Sequence, residues 1–391
     1  MIKLRNVCYV LVFTLLCCKK PYNPPPTSTN NSYLVVEGVI NLSVDSTVIK
    51  LSRTVKINDS VAYKPVLGAT VSVEGEKEFD SRLDDIHNNG HYFTYAINLP
   101  TTQRYRLKIV TQEGTTYLSD YVEAKPTPPI DSIGYTITND ILNLYVNTHD
   151  PANKTHYYRW DYEETWAFHA KYPSIYVLDP VSNSIVARRS DQMIYNCFGN
   201  DVSSNILLTS TEKLSKDVVY QGPLTQIPLT SEKIEKVYSV LLRQYAVTQD
   251  AFNFYQNIKK NTEQLGSIFD AQPSQISGNI HNVKDPKEPV VGYVSMTNVR
   301  AKRIFIQQAD FPENVRPKYP YDCEEDSALY FNKQHFNDVQ NILINPPVTY
   351  IPTDAIRDPF GGIIGFKYST RECLDCTLRG TTMKPYYWPF P

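Results

Sequence analysis

Four cysteines in the body of the chain are the most chemically suggestive residues: Cys197, Cys323, Cys373 and Cys376. Cys373-x-x-Cys376 has the spacing of a dithiol redox pair, and four thiolates together would suit tetrahedral zinc. The redox reading wants a βαβ setting, which the flanking sequence lacks. In an oxidising compartment an even set of cysteines favours disulfides. Two structural disulfides are therefore expected, with the pairing open, and no metal or cofactor.

The other candidates for catalysis are weaker. The seven histidines form no His-Glu-x-x-His or similar ligand pair. Glu163-Glu164 and Glu324-Glu325 would serve glycoside hydrolysis only if two carboxyls converged, and a solvated surface pair is the expectation. No Gly-x-Ser-x-Gly elbow occurs. Gly361-Gly362-Ile363-Ile364-Gly365 lacks the Lys-Ser/Thr of a phosphate loop and reads as a turn before a strand. No catalytic residue is assigned, and a non-enzyme is expected.

Aromatic residues offer a binding surface instead. Trp160 and Tyr162 share one face of an expected strand, as do Trp166 and Phe168. Exposed, such a face would suit glycans or extended peptides, because flat rings bury area at low entropic cost. Buried, it is core. The Tyr- and Pro-rich tail 383–391 is a second docking candidate.

The elements that must position these residues are mostly strands. The chain has 391 residues, 41% hydrophobic and 20% charged, with 27 Pro, 29 Tyr and only 15 Gly. That composition excludes wholesale disorder and points to β-structure with ordered loops. A net charge of −2 removes a broad basic footprint for nucleic acid. Residues 33–125 hold short alternating strands with turns such as Asn88-Asn89-Gly90, and read as an immunoglobulin-like β-sandwich. Pro126-Thr127-Pro128-Pro129 closes that unit. Residues 130–391 read as a β-rich sandwich or barrel-like domain with one inserted helix over 249–265. Thr248 caps the helix and Gly266 ends it.

The N-terminus sets the compartment. Lys3 and Arg5 precede an apolar run, Val7 to Leu16, too short to span a bilayer. Leu15-Leu16-Cys17-Cys18 resembles a bacterial lipobox, with Leu15 at −3 and the small Cys17 at −1. Residues 1–17 are thus expected to leave as a lipoprotein signal peptide, and Cys18 to carry lipid. Loss of Lys3 and Arg5 takes the formal charge from −2 to −4. Residues 18–32, with Pro21, Pro24, Pro25 and Pro26, read as an extended tether.

Several stretches resemble a known family: Gly266 to Ile280, Val290-Val291-Gly292-Tyr293-Val294, Cys373 to Gly380, and Lys384-Pro385-Tyr386-Tyr387-Trp388. They are similar to the family of domain of unknown function 4249, from Gram-negative bacteria of the Bacteroidota type. The resemblance implies an outer-membrane lipoprotein, often encoded beside TonB-dependent receptors, and implies no reaction. Lys19 and Lys20 stand where surface-exported lipoproteins commonly carry acidic residues, so either membrane face fits.

Two functions follow. The first is a non-catalytic accessory to a TonB-dependent transporter, acting by ligand capture or complex formation. Its partners would be an outer-membrane β-barrel or other envelope protein, the bilayer through the acyl anchor, and a peptide or glycan, with no nucleic acid. The second is a structural or assembly subunit of an envelope complex that takes no small ligand.

Overall fold

In the computed structural model, residues 32–390 are described, apart from 43–45, 56–62, 96, 98, 264–277, 313, 314, 316 and 346. The signal, Cys18 and the tether lie outside the described residues. So does the expected helix end at Gly266. Strands make up 47% of the chain and helices 12%, and the fold is mainly β.

The first body is a two-sheet sandwich. One sheet carries Leu34–Asn41 between Thr47–Arg53 and Ser295–Thr297. The other runs Ile280–Asn282, Thr116–Ser119, Tyr105–Val110, Thr70–Gly75, Asp80–Leu83. Strict alternation drives the pairing. In Tyr105–Val110 every second residue is buried, so one face joins the core and the other meets solvent. Leu34, Ile49, Leu51, Val71, Tyr105 and Ile109 are wholly buried in that core.

The expected boundary near residue 126 needs correction. Residues 280–297, expected in the second body, return to complete the first. Val290–Gly292 and Ser295–Thr297 both pair parallel to Leu34–Asn41, and Ile280–Asn282 extends the opposite sheet beside Thr116–Ser119. The cause is burial: Val290, Val294 and Met296 supply apolar side chains to the first core. The first body is therefore built from two distant stretches of chain.

The second body is another sandwich. Ile130–Thr138, Ile141–His149 and Val218–Pro228 form one antiparallel sheet. The facing sheet orders Asn196–Val202, Tyr157–His169, Val237–Ala246 and Arg300–Gln307. Leu142, Leu144, Tyr158, Trp160, Val240 and Leu242 lie in the core between them. A third, smaller unit follows. Asp326–Leu329, Ile363–Thr370 and Tyr350–Arg357 make a short sheet, with its own core around Ala328, Val339, Leu343 and Phe366. The hairpin Tyr176–Asp179/Ser184–Ala187 packs Tyr176, Leu178 and Ile185 against it.

The helix Gln249–Glu263 joins the two sandwiches. The Ala251 N–H donates to Thr248 Oγ1 at 3.2 Å, and Asp250 sits in the first turn, both favourable at a helix N-terminus. Ala251 packs with Tyr245 and Val247 of the second body and with Val39 and Tyr293 of the first. The Arg159 guanidinium lies over Tyr245 at 4.2 Å and over Tyr255 of the helix at 4.9 Å, a cation–π clamp.

Gly292 tests the discontinuous first body. Its φ is +152°, and an added Cβ would stand 2.3 Å from the Val36 carbonyl oxygen. Gly292→Ala should cost at least about 2 kcal/mol of stability, read from the shift in a urea unfolding midpoint.

Candidate functional site

The long strand Tyr157–His169 carries the aromatic candidates and one acidic pair, and alternation turns Trp160, Tyr162, Glu164, Trp166 and Phe168 to one face and Glu163 to the other. Tyr158, Trp160 and Tyr162 point into the second core. Phe168 is wholly buried against Cys197 and Cys376. Of the two readings left open for Trp160, Tyr162, Trp166 and Phe168, the ligand surface is corrected and the core holds: three of the four are interior. Trp166 is half-buried, with Lys233 Nζ 5.0 Å from its ring centre. It leans over Gly199, where a Cβ would meet Trp166 Cζ2 at 2.4 Å.

The solvated-pair reading of Glu163-Glu164 is corrected too. Glu164 is buried, because strand alternation turns it to the inner face. Lys233 Nζ donates to its Oε2 at 2.5 Å and the Tyr238 hydroxyl to its Oε1 at 2.6 Å. A buried carboxylate needs this pairing, since an unpaired one costs several kcal/mol. Glu163 is half-exposed and accepts from Arg243 Nη2 at 2.5 Å. Glu324 and Glu325 stay at the surface. Glu325 accepts from Thr353 Oγ1 at 2.7 Å and from Lys367 Nζ at 3.2 Å.

A polar cluster that sequence reasoning missed closes the end of this sheet. Glu232 Oε2 lies 2.8 Å from Arg379 Nη2, a largely buried ion pair. Burial pushes the Glu232 carboxyl above its usual range, against the pull of the guanidinium. Arg379 also stacks over Phe168 and Tyr319. Beside them, His169 Nε2 lies 2.8 Å from Glu235 Oε1, and its Nδ1 lies 2.7 Å from the Ala170 carbonyl oxygen. Both partners are acceptors, so the imidazolium with two N–H donors fits best. Each charged group here has its counter-charge in the cluster. Only the 147-residue gap between Glu232 and Arg379 hid it, because no local spacing links them.

The four cysteines pair across this region. Cys197 bonds Cys376, and Cys323 bonds Cys373. Cys373-x-x-Cys376 is thus no dithiol pair: each of its members holds a different distant strand or loop. Among the described residues no group of three His, Cys, Asp or Glu side chains stands close enough to hold a metal ion.

The outer face of the same sheet is covered by the chain's own tail. Phe198 and Thr381 exchange backbone hydrogen bonds of 2.8 and 2.9 Å. Trp388 then settles between Phe198 and Phe305, with ring centres at 5.2 and 5.5 Å. The small residues Thr165, Ala167 and Ser239 lie between those two rings in the sheet register. Tyr387 exchanges a 2.8 Å hydrogen bond with Thr165 Oγ1, and the Arg303 guanidinium stands 3.7 Å from its ring centre. The tail expected to dock on a partner docks on its own chain. Elsewhere, a recess of about 10 Å3 between the sandwiches, lined by Val122, Ala246, Tyr293 and Met296, has room for about one water.

His169 makes the cluster pH-dependent. The hydrogen bond to Glu235 raises the imidazole above its ordinary 6.5. Its contribution to stability is full below 6.5 and is lost as pH rises through the raised value. His169→Gln should flatten that fall, measured by urea unfolding from mildly acidic to alkaline pH. Separately, Cys197→Ser/Cys376→Ser should loosen the tail and cost about 2–4 kcal/mol, with a red shift of tryptophan emission as Trp388 becomes wet.

Comparison with known proteins gives a family and no activity. No curated protein matches the chain. Among solved structures, a candidate carbohydrate-binding protein from Bacteroides uniformis is 10% identical, covering 56% of this chain and 91% of its own. Its TM-score is 0.16, and it carries no argument here. The family model described as domain of unknown function (DUF4249) matches residues 19–303 of the 391. The matched stretch takes in both pieces of the first sandwich and the central strands of the second, and the chain belongs to the DUF4249 family.

Proposed function

We propose that this protein is a lipid-anchored, non-catalytic accessory of an outer-membrane β-barrel transporter. The observation that supports the reading most is where the tether joins the fold. Residue 32 leads directly into Leu34–Asn41, an interior strand flanked on one edge by Thr47–Arg53 and on the other by Val290–Gly292 and Ser295–Thr297. The junction is clamped. Arg53 Nη1 donates to the Ser32 carbonyl at 3.0 Å, and the Tyr33 N–H to Thr54 Oγ1 at 2.9 Å. A pull from an acyl group on Cys18 would be carried in shear by two ladders at once. That geometry suits a body that works while held by its N-terminus.

Within this reading, complex formation is favoured over ligand capture. The aromatic residues that would have captured a glycan or peptide serve the core instead. The same observation favours the second reading, an assembly subunit without a small ligand. Stabilisation of the protein by peptides or glycans would favour capture, and none would favour assembly.

Two measurements check the proposal. Labelled palmitate should enter the wild-type protein and not Cys18→Ala. Affinity purification from native membranes in mild detergent should recover a β-barrel protein, and recovery without one would count against the accessory role.

A further inference from the structure

At one end of the small C-terminal sheet, two loops present large apolar side chains to solvent. Phe360 is 97% exposed, Phe331 76% and Phe336 63%, and Ile363 and Ile364 are exposed beside them. Single exposed apolar residues are ordinary, but several converging on one end are not. The register brings them together. Leu329 and Ile356 both pair with Gly365, and the Tyr330 N–H donates to the Ile364 carbonyl at 3.0 Å. Phe331 therefore continues alongside Ile363. Phe360 tips the turn between Arg357 and Ile363, and the Asn332 N–H bond to the Phe336 carbonyl at 3.0 Å folds Phe336 back to the same end.

Much of the backbone of both loops is satisfied from within. Asn332 Oδ1 accepts from the N–H groups of Gln334 and Phe336 at 2.9 and 3.0 Å. Asp358 Oδ1 accepts from Phe360 and Gly362 at 2.9 and 2.7 Å. The Asp358 carbonyl takes the Gly361 N–H at 3.0 Å, and Arg357 Nη1 donates to the Gly361 carbonyl at 2.9 Å. The charges of the two loops also cancel: Lys333 and Arg357 stand against Asp338 and Asp358. A loop that enters an apolar layer must supply its own hydrogen-bond partners, because the layer offers none. These loops do so, and they leave their phenyl rings pointing outward. The expected tether of residues 18–32, at roughly 3.1 Å per residue if extended, keeps the body within reach of the membrane that holds Cys18.

We propose that this apolar end inserts into the interfacial layer of a neutral lipid bilayer, as a second membrane contact beside the N-terminal anchor. Aromatic rings favour that layer, and the cancelled charges remove any need for anionic headgroups. The inference draws on the proposed anchoring only for nearness to the membrane.

The test uses the chain from Lys19 onward, which lacks Cys18 and carries no lipid, so its outcome is independent of acylation. It is mixed with vesicles of phosphatidylcholine and phosphatidylethanolamine and sedimented. A vesicle-bound fraction insensitive to added salt is expected. Phe331→Ser/Phe360→Ser should cut that fraction roughly tenfold while the thermal unfolding midpoint stays unchanged, since both rings are exposed. Phe360→Trp should give a blue shift of emission on vesicle addition, quenched by brominated lipid. Wild-type protein that stays in the supernatant, or binds only anionic vesicles at low salt, overturns the proposal. So does a double variant that keeps its vesicle binding but loses a co-purifying envelope protein, which would assign the surface to a protein partner. Failure of palmitate to label the wild-type protein would overturn the anchor and leave this result standing.

Discussion

Parallel pairing of Leu34–Asn41 with Val290–Gly292 and Ser295–Thr297 is the constraint on which the rest of the structure depends. It places residues near the start of the folded chain beside residues about 250 positions later. Once those strands are aligned, Val39 faces the helix that precedes them, and Val299 leads straight into Arg300–Gln307 at the edge of the second sandwich. The Thr127 and Thr297 hydroxyls then meet at 2.6 Å, and Thr127 Oγ1 accepts the Ala246 N–H at 2.9 Å. The proline-rich segment that sequence reading takes for a simple divider is thereby stitched to both bodies.

Local patterning made much of the fold legible. Alternation announced strands of the first body such as Tyr105–Val110, and Thr248 announced the helix start. The disulfide count was also legible, because four cysteines in an oxidising setting leave few options. The pairing was not, since it depends on which strands stack. Residues 280–297 were misassigned for a related reason: periodicity says that a segment is a strand and says nothing about its neighbour across the sheet. The aromatic strand failed differently. Trp160, Tyr162 and Phe168 have the composition of a binding face, and only what packs on them, the facing sheet on the first two and the Cys197–Cys376 pair on Phe168, shows that the face is interior.

The polar residues follow the same logic. Glu164, Glu232 and Glu235 are drawn inside by the geometry of one strand and one turn, and each is met by a cation from elsewhere: Lys233, Arg379 and His169. Arg379 arrives from the C-terminal segment that Cys376 fixes in place. The charge cluster, the disulfide and the docked Trp388 are therefore one closure. It seals the inner and outer faces of a sheet whose edge would otherwise lie open, and open edges invite pairing with other chains.

The split construction of the first sandwich also bears on how the chain folds as it is made. A polypeptide is made from its N-terminus, so Leu34–Asn41 is available long before Met296 is. Until then one edge of that strand has no partner, and Val36 and Ile40 have no Val290 or Met296 to cover them. The N-terminal sandwich cannot close first and wait. It must remain open, exposed to passing chaperones and to other sheet edges, until synthesis has delivered nearly three hundred residues.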